Sequence, residues 1–371
     1  MIKSNYSYRI HIMVVVHIIT RLNQGGTSTW LNNLLSNHFK NFEQVICFGN
    51  IDSNEKQANF YKNHNYVKLR FLGRKISPFK DLFALLELIR VIKKLQPNVI
   101  NTHTFKAGVI GRLAAKIASR KIDLIHTYHG HLLYGYSGKI QSFLYKKIEI
   151  YLSKITDLFI VNGNQTKIDL INSKILDSKK SIVIHPGLVK DFYHSKDKLR
   201  KKYKLNKSHL AIGWLGRFTD VKDPLKVVEI ANKLQNYLFI MGGDGELKQK
   251  LMNKSPKNIK FVGWVDPDEF WQICEIALLT SKNEATPYAL VEAAKHSLPI
   301  VTSKVGAVGS IATKSNSIFA HTVEEFCTAI KELNDSRKLR IHMGKNSRKV
   351  FLHNFTLENF LRAHDEIYRS L

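Results

Sequence analysis

The sequence predicts an α/β protein built from two doubly wound domains, and three observations carry that prediction. The chain has 371 residues, long enough for two domains with a core each. Short apolar runs end repeatedly in loops that open into helical patterns, which is the strand–loop–helix rhythm of parallel sheets. Two such series are separated by a highly charged connector, Asp191 to Ser208. The expected division is 1–190, 191–345 and a helical tail over 346–371.

Hydrophobic content of 44% and aromatic content of 10% are ordinary for a folded soluble protein. Cys47, Cys274 and Cys327 are too far apart for a disulfide frame or a zinc site and fit a reducing, cytoplasmic setting. The charge is less ordinary: 57 Lys and Arg against 30 Asp and Glu, a formal net of +27, with the excess concentrated before Lys190. Such an excess fits either an anionic membrane face or a merely solvated surface. No helix-turn-helix, zinc-finger or RNA-recognition signature accompanies it, so a nucleic-acid partner is not expected.

The first apolar run, Ile12 to Ile19, holds His17 and is too short to span a bilayer, so it reads as a buried strand. Gly25-Gly26 follow it and precede a helix with Trp30, Leu31, Leu34, Leu35 and Phe39 at apolar positions. Glycines there let backbone approach a phosphate at a helix N-terminus. Val45 to Phe48 is the next strand, and Gly49 to His64 carries no usable signal. Pro78 to Leu95 is an amphipathic helix with Phe79, Leu82, Leu85, Leu86, Ile89, Ile92 and Leu95 as its apolar side. A second strand-to-helix unit follows, with His103 just past the strand; a structural role and a substrate contact are both open for it.

Leu124 to Tyr136 (L-I-H-T-Y-H-G-H-L-L-Y-G-Y) brings three histidines and three tyrosines after an apolar start. His126, His129 and His131 lack the spacing of a helical zinc pair and have no acid beside them. Imidazole and phenol groups instead suit a sugar, bonding its hydroxyls while ring faces cover its C–H surface. Tyr145 to Lys154 is a basic helix, and strands at Asp157 to Asn162 and Ser181 to Gly187 complete the first half.

The second half opens on L-A-I-G-W-L-G-R-F-T-D-V-K-D-P, in which Gly216 and Arg217 end a strand and Lys222 follows five residues later. A lone Arg and Lys in a loop are ordinarily solvated, whereas fixed cations in a dry cleft would stabilise a departing diphosphate. Tyr237 to Leu247 is a strand and glycine turn without nucleotide-fingerprint spacing, and Asp266-Pro267-Asp268 reads as helix capping. Ile276 to Thr280 and Leu298 to Thr302 are strands that flank S-K-N-E-A-T-P-Y-A-L-V-E-A-A-K-H-S. In that segment Thr286-Pro287 reads as a cap and first helical residue. Glu284 stands in the loop and Glu292 inside the helix, a spacing that by itself also fits solvated surface, and the helix start at Pro287, with the N–H groups of Tyr288 and Ala289, offers an anion site between them.

N-E-A-T-P-Y-A-L-V-E-A-A with L-P-I-V-T-S-K-V-G-A resembles the donor-binding signature of family 4 retaining glycosyltransferases, which have the GT-B fold. T-Y-H-G-H resembles that family's T-x-H-G segment, and the glycine loop and the Arg217–Lys222 pair occur in the matching order. Ala285 and Ala307 depart from it, standing where the family usually has glycine near the donor. The resemblance implies two Rossmann-like domains facing a central cleft, with the tail returning to the first domain. It implies transfer of a sugar from a nucleotide diphosphate, UDP being preferred, to a hydroxyl of a glycan or lipid-linked acceptor in cell-surface polysaccharide synthesis. No metal or other cofactor is expected, and the implied location is cytoplasmic, peripheral to the membrane's inner face.

Carried over residue by residue, Arg217 and Lys222 would stabilise the leaving diphosphate together with the helix start at Pro287, and Glu292 would hold the ribose. Glu284 and His129 would position the sugar, Gly25 and Gly26 would approach diphosphate and acceptor, and His131 would be an adjacent contact. The rival readings are a nucleotide-sugar epimerase of the same fold and a catalytically silent scaffold subunit.

Overall fold

The computed structural model describes residues 13–36, 42–53, 55–119, 121–130, 139–190, 195–203, 205 and 210–371. Seven strands form the first sheet: β1 (Met13–Arg21), β2 (Phe42–Asn50), β3 (Asn65–Gly73), β4 (Val99–His103), β5 (Asp123–Tyr128), β6 (Leu158–Val161) and β7 (Ser181–Val183). Their order is β3-β2-β1-β4-β5-β6-β7, and every pairing is parallel. The second sheet has β8 (Ala211–Leu215), β9 (Leu238–Gly242), β10 (Ile259–Gly263), β11 (Ile276–Leu279), β12 (Ile300–Thr302) and β13 (Ser317–Phe319). Its order, β10-β9-β8-β11-β12-β13, is again all parallel.

Both sheets therefore begin at an inner strand, the third in each order, and reverse direction once. The point of reversal lies beside the carboxyl ends of β1 and β8, where open α/β sheets leave a crevice for ligand. Gly25-Gly26 follow β1 and Gly216-Arg217 follow β8, so both glycine loops sit at a switch point.

Helices α1 (Gly26–Leu35), α2 (Pro78–Leu95), α3 (Phe105–Ala118), α4 (Lys139–Ser153) and α5 (Asn164–Asn172) belong to the first half. The second half has α6 (Lys196–Lys202), α7 (Pro224–Lys233), α8 (Lys248–Lys254), α9 (Pro267–Gln272), α10 (Tyr288–Lys295), α11 (Val323–Asp335) and α12 (Arg337–Asn354). The last helix, α13 (Leu357–Ser370), crosses back. Leu188 and Thr356 form a parallel bridge, and Phe360, Ile367 and Tyr368 of α13 join the core of β1 and α1 around Val15, Trp30 and Ile46. The tail thus starts at Leu357 and not at 346, because α12 continues to Asn354 and packs on α10.

One helix departs from expectation. On the side of α2 that reads as core from its periodicity, Phe79 at 79%, Leu82 at 53% and Leu86 at 41% are exposed, whereas Ile92 is buried, Leu85, Ile89 and Leu95 are half-buried, and Ala84 and Leu88 from the neighbouring face are buried with them. The helix is apolar over more than one face, and β3 takes the narrower stripe. Phe39, which would extend α1, lies outside the described residues.

Candidate active site

The two switch points face each other across a cavity of about 500 Å³ lined by both halves of the chain. Gly25, at φ 153°, turns the chain into α1 in a backbone region that side chains rarely adopt. Gly26 meets the other half directly, since a Cβ there would stand 2.8 Å from the Tyr288 ring. Gly130 approaches Ala285 in the same way, at 3.3 Å from its methyl group. Thr286 does not cap α10. Its hydroxyl donates to the Asn162 carbonyl at 2.7 Å, across the interface, and Pro287 takes the cap position. The amides of Tyr288 and Ala289, which have no acceptor within the helix, open beside the cavity.

Among the residues singled out from the sequence, Gly25, Gly26, His129, Gly216, Arg217, Lys222, Glu284, Pro287, Tyr288, Ala289 and Glu292 all line this cavity. Lys222 is bound by both oxygens of Glu284, at 2.6 and 2.8 Å, and Glu284 also accepts from the Ser281 hydroxyl at 2.6 Å. Two of the three ammonium protons are thus engaged, and one remains for a ligand. Arg217 is exposed at the cavity and makes no salt bridge with any described residue.

Glu292 receives a long bond from the Trp271 indole, 3.4 Å. Burial lifts its carboxyl from the ordinary 4.5 to about 8, against the pull of the Trp271 bond and with Asp268 adding to the rise. The folded state therefore holds a proton that the unfolded chain releases near pH 4.5. The resulting stability is fully present below about pH 4.5 and is lost as pH climbs through about 8. Glu292→Gln is expected to flatten the decline of Tm between about pH 5 and pH 9, and a decline as steep as in the unaltered protein would contradict this.

His129 borders the cavity, and its two ring nitrogens are held by His103, at 3.0 Å, and by the Asn162 amide, at 3.1 Å. Burial, with His364 nearby, lowers its pKa to about 3, so the ring is neutral. His103 is corrected: it is fully buried behind His129 and does not reach the cavity. His131 lies outside the described residues. Ala307 is corrected as well. It is buried at the interface, where a Cβ on Gly163 would stand 2.7 Å from its methyl, and it does not line the cavity, whereas Ala285 does. Asp266 caps α9 as its sequence suggests, accepting from the amides of Asp268 and Glu269.

Asn162 and Trp264 are among the cavity residues that escape sequence reading. Asn162 directly follows β6 and joins the halves through its carbonyl, while Trp264 stands half-exposed at the rim with Lys56 over its ring. Trp264 had a signal, an exposed aromatic two residues before a helix cap; Asn162 had none, because its role depends on what β6 faces. Among the described residues, no group of three His, Cys, Asp or Glu side chains could hold a metal ion.

Comparison with known proteins agrees with this architecture. Residues 24–192 match the family described as Glycosyltransferase Family 4, and residues 195–350 match Glycosyl transferases group 1. The chain is 28% identical over 307 residues to UDP-Gal:alpha-D-GlcNAc-diphosphoundecaprenol alpha-1,3-galactosyltransferase of Escherichia coli, covering 77% of this chain and 79% of that one. It is 25% identical over 342 residues to the capsular polysaccharide biosynthesis glycosyltransferase CapM of Staphylococcus aureus, covering 86% and 89%. Its fold is similar to the crystal structure of Anabaena Alr3699/HepE in complex with UDP and glucose, with a TM-score of 0.82 at 17% identity over 96% of this chain and 99% of that one. The two family matches follow one another from residue 24 to residue 350, one from the loop after β1 through the rest of the first sheet and one over the second, and the chain belongs to the GT-B glycosyltransferases of the family 4 type.

Proposed function

We propose that this glycosyltransferase moves a sugar from a UDP-sugar to a hydroxyl of a lipid-linked glycan with retention of anomeric configuration. The observation that carries the reading is the convergence of Arg217, Lys222, Glu284, Glu292 and the start of α10 on one cavity. The bond from the anomeric carbon to the diphosphate oxygen breaks, and its electron pair leaves with the diphosphate. Arg217, the free proton of Lys222 and the amides of Tyr288 and Ala289 receive that charge. The acceptor hydroxyl bonds to the same face of the sugar, and its proton passes to the departing phosphate oxygen. Glu292 hydrogen-bonds both ribose hydroxyls, Glu284 orients the sugar through the oxygen surface Lys222 leaves it, and His129 walls the sugar site. No metal is required for these steps.

The test is to offer a panel of nucleotide-sugars with a lipid-diphosphate-linked saccharide and to read the product's anomeric configuration by NMR. A new linkage of the donor's configuration supports the reading. An altered nucleotide-sugar formed without acceptor indicates an epimerase, and failure to bind any nucleotide-sugar indicates a scaffold; either overturns it.

A lipid-linked acceptor calls for a membrane surface, and the first half of the chain offers a face of matching chemistry. No helix among the described residues is long and apolar enough to cross a membrane. Instead Ile76, Phe79, Leu82 and Phe83 are exposed at the start of α2, and Ile140, Phe143 and Leu144 at the start of α4. The start of α3 touches both helices, through Lys106 on Asp81 and Phe105 on Tyr145. From Arg70 to Lys154 the chain carries 16 Lys or Arg against 4 Asp or Glu. Apolar side chains that enter the acyl boundary and lysines that meet anionic headgroups would act together.

The variant Phe79→Ser/Phe83→Ser/Leu144→Ser is expected to bind phosphatidylglycerol vesicles at least roughly tenfold more weakly in sedimentation, with the protein still folded because at least half of each group is already exposed. An unaltered protein that ignores such vesicles would remove the membrane from the reading.

A further inference from the structure

Behind His129 a line of polar side chains runs through the interior of the first sheet, and the steps described so far make no use of it. His17 lies on β1, His103 on the adjacent β4, and His129 just past β5, the next strand over. Gln44, on β2, begins the line: its amide nitrogen donates to the Leu34 carbonyl at 3.4 Å, and its oxygen meets His17 Nε2 at 3.1 Å. His17 Nδ1 meets His103 Nε2 at 3.2 Å, and His103 Nδ1 meets His129 Nε2 at 3.0 Å. The Asn162 amide closes the line on His129 Nδ1 at 3.1 Å.

Only one direction of donation satisfies every link. The Leu34 carbonyl can only accept, so it takes the NH₂ of Gln44 and leaves the Gln44 oxygen facing His17. His17 must then carry its proton on Nε2 and accept at Nδ1. That requires His103 to donate from Nε2, and His129 in turn to donate from Nε2 to His103. Asn162 supplies the last N–H. Run in reverse, the line would set the Gln44 oxygen against the Leu34 carbonyl, two acceptors face to face. Each ring has one proton and uses both nitrogens, so the line needs three neutral imidazoles. Burial holds His17 near pKa 4, His129 near 3 and His103 well below the ordinary value, in keeping with that.

We infer that His17 and His103 are positioning residues for glycosyl transfer: a one-directional hydrogen-bond line from Gln44 fixes the protonated nitrogen and the ring plane of His129 at the cavity. Trp30 stands edge-on to the His129 ring, with centroids 5.0 Å apart, and closes its other side. At the far end Asn162 ties the line to the donor side, because its carbonyl holds the Thr286 hydroxyl that leads into α10. With both ring nitrogens engaged, His129 offers the sugar its carbon edge in a set orientation. The inference rests on the placement of His129 at the sugar site, but its structural part is read without any turnover.

The test is ¹⁵N-histidine NMR of the full chain combined with steady-state kinetics. In the unaltered protein His17, His103 and His129 are each expected as the Nε2–H tautomer. His17→Phe fills the space but cuts the line two links from the cavity; it should turn His129 into a mixture of tautomers and lower kcat roughly tenfold, with KM for the nucleotide-sugar within about twofold. His17→Gln can accept from His103 and donate to Gln44, so it should keep the His129 tautomer and most of kcat. Should His17→Phe fail to fold, Gln44→Leu removes the outer anchor and is expected to blur the tautomers in the same way. An Nδ1–H or doubly protonated His129 in the unaltered protein overturns the inference, whatever the activity. So does a folded His17→Phe or Gln44→Leu variant whose His129 tautomer and kcat are unchanged. Loss of the transfer reading, with the three Nε2–H tautomers still found, would leave the line intact and remove only its catalytic purpose.

Discussion

Arg217→Ala is expected to lower kcat by roughly two to three orders of magnitude, as removal of a fixed donor to developing charge does elsewhere. The expectation follows from where the guanidinium stands. It is exposed at the cavity and makes no salt bridge with a described residue, so its charge is available to a diphosphate. For the same reason the substitution should barely change Tm, and KM should move less than kcat if the contact strengthens as the bond breaks. Thermal denaturation beside initial-rate kinetics separates the two effects. Turnover within a few-fold of the unaltered protein would take Arg217 out of the reaction.

Lys222→Ala should behave differently, because Lys222 has a structural debt that Arg217 lacks. Its ammonium is the counter-ion of Glu284, whose side chain is only 7% exposed and whose other contact is the Ser281 hydroxyl. Without Lys222 a carboxylate is left buried and unpaired, which costs about 3–5 kcal/mol for a buried pair. The lower end applies, since the Lys222 side chain retains 29% of its exposure. The double variant Lys222→Met/Glu284→Gln should recover most of that stability, as neither partner then carries a charge, yet remain inactive. Chemical denaturation of the single and double variants, with activity measured on each, tests the assignment. A Lys222→Ala protein as stable as the original would show that the ion pair contributes little, and an active double variant would show that neither charge serves the reaction.

Much of the fold was legible where local chemistry is strong. Runs such as Val14 to Ile19 and Ile276 to Thr280 are apolar on both faces because helices cover both sides of these sheets, and they read directly as buried strands. β3 was not legible. It is an edge strand with Lys68 and Arg70 pointing outward and only Leu69 and Leu72 buried, so its pattern resembles a loop. The exposed side of α2 misled for the opposite reason. Phe79, Leu82 and Leu86 have the spacing of a core face, and periodicity cannot tell an apolar face turned to protein from one left at the surface.

The candidate site divides in the same way. Glu284, Glu292, Arg217, Lys222 and the glycines could be named from the sequence because the strand–loop–helix segments that hold them resemble, in the same order, the family 4 signature; their local spacing alone fits solvated surface and plain turns as well. Which of them touch could not be named, since the Lys222–Glu284 pair joins residues 62 apart and the Thr286–Asn162 bond joins residues 124 apart. His103 shows the limit: a histidine just past a strand end reads equally as a ligand contact or an internal support. Only the position of β4 between β1 and β5 puts it behind His129. By itself, then, the sequence determined the two-sheet α/β architecture, the loops at which ligand chemistry gathers and the residue types in them, because periodicity, glycine and capping act over a few residues. The tertiary structure alone decided that Lys222 is already paired, that Ala307 and Thr286 serve the interface and that His17, His103 and His129 stand within hydrogen-bond reach of one another in a row, because those facts depend on strand order and on the approach of two domains, which no short stretch of chain encodes.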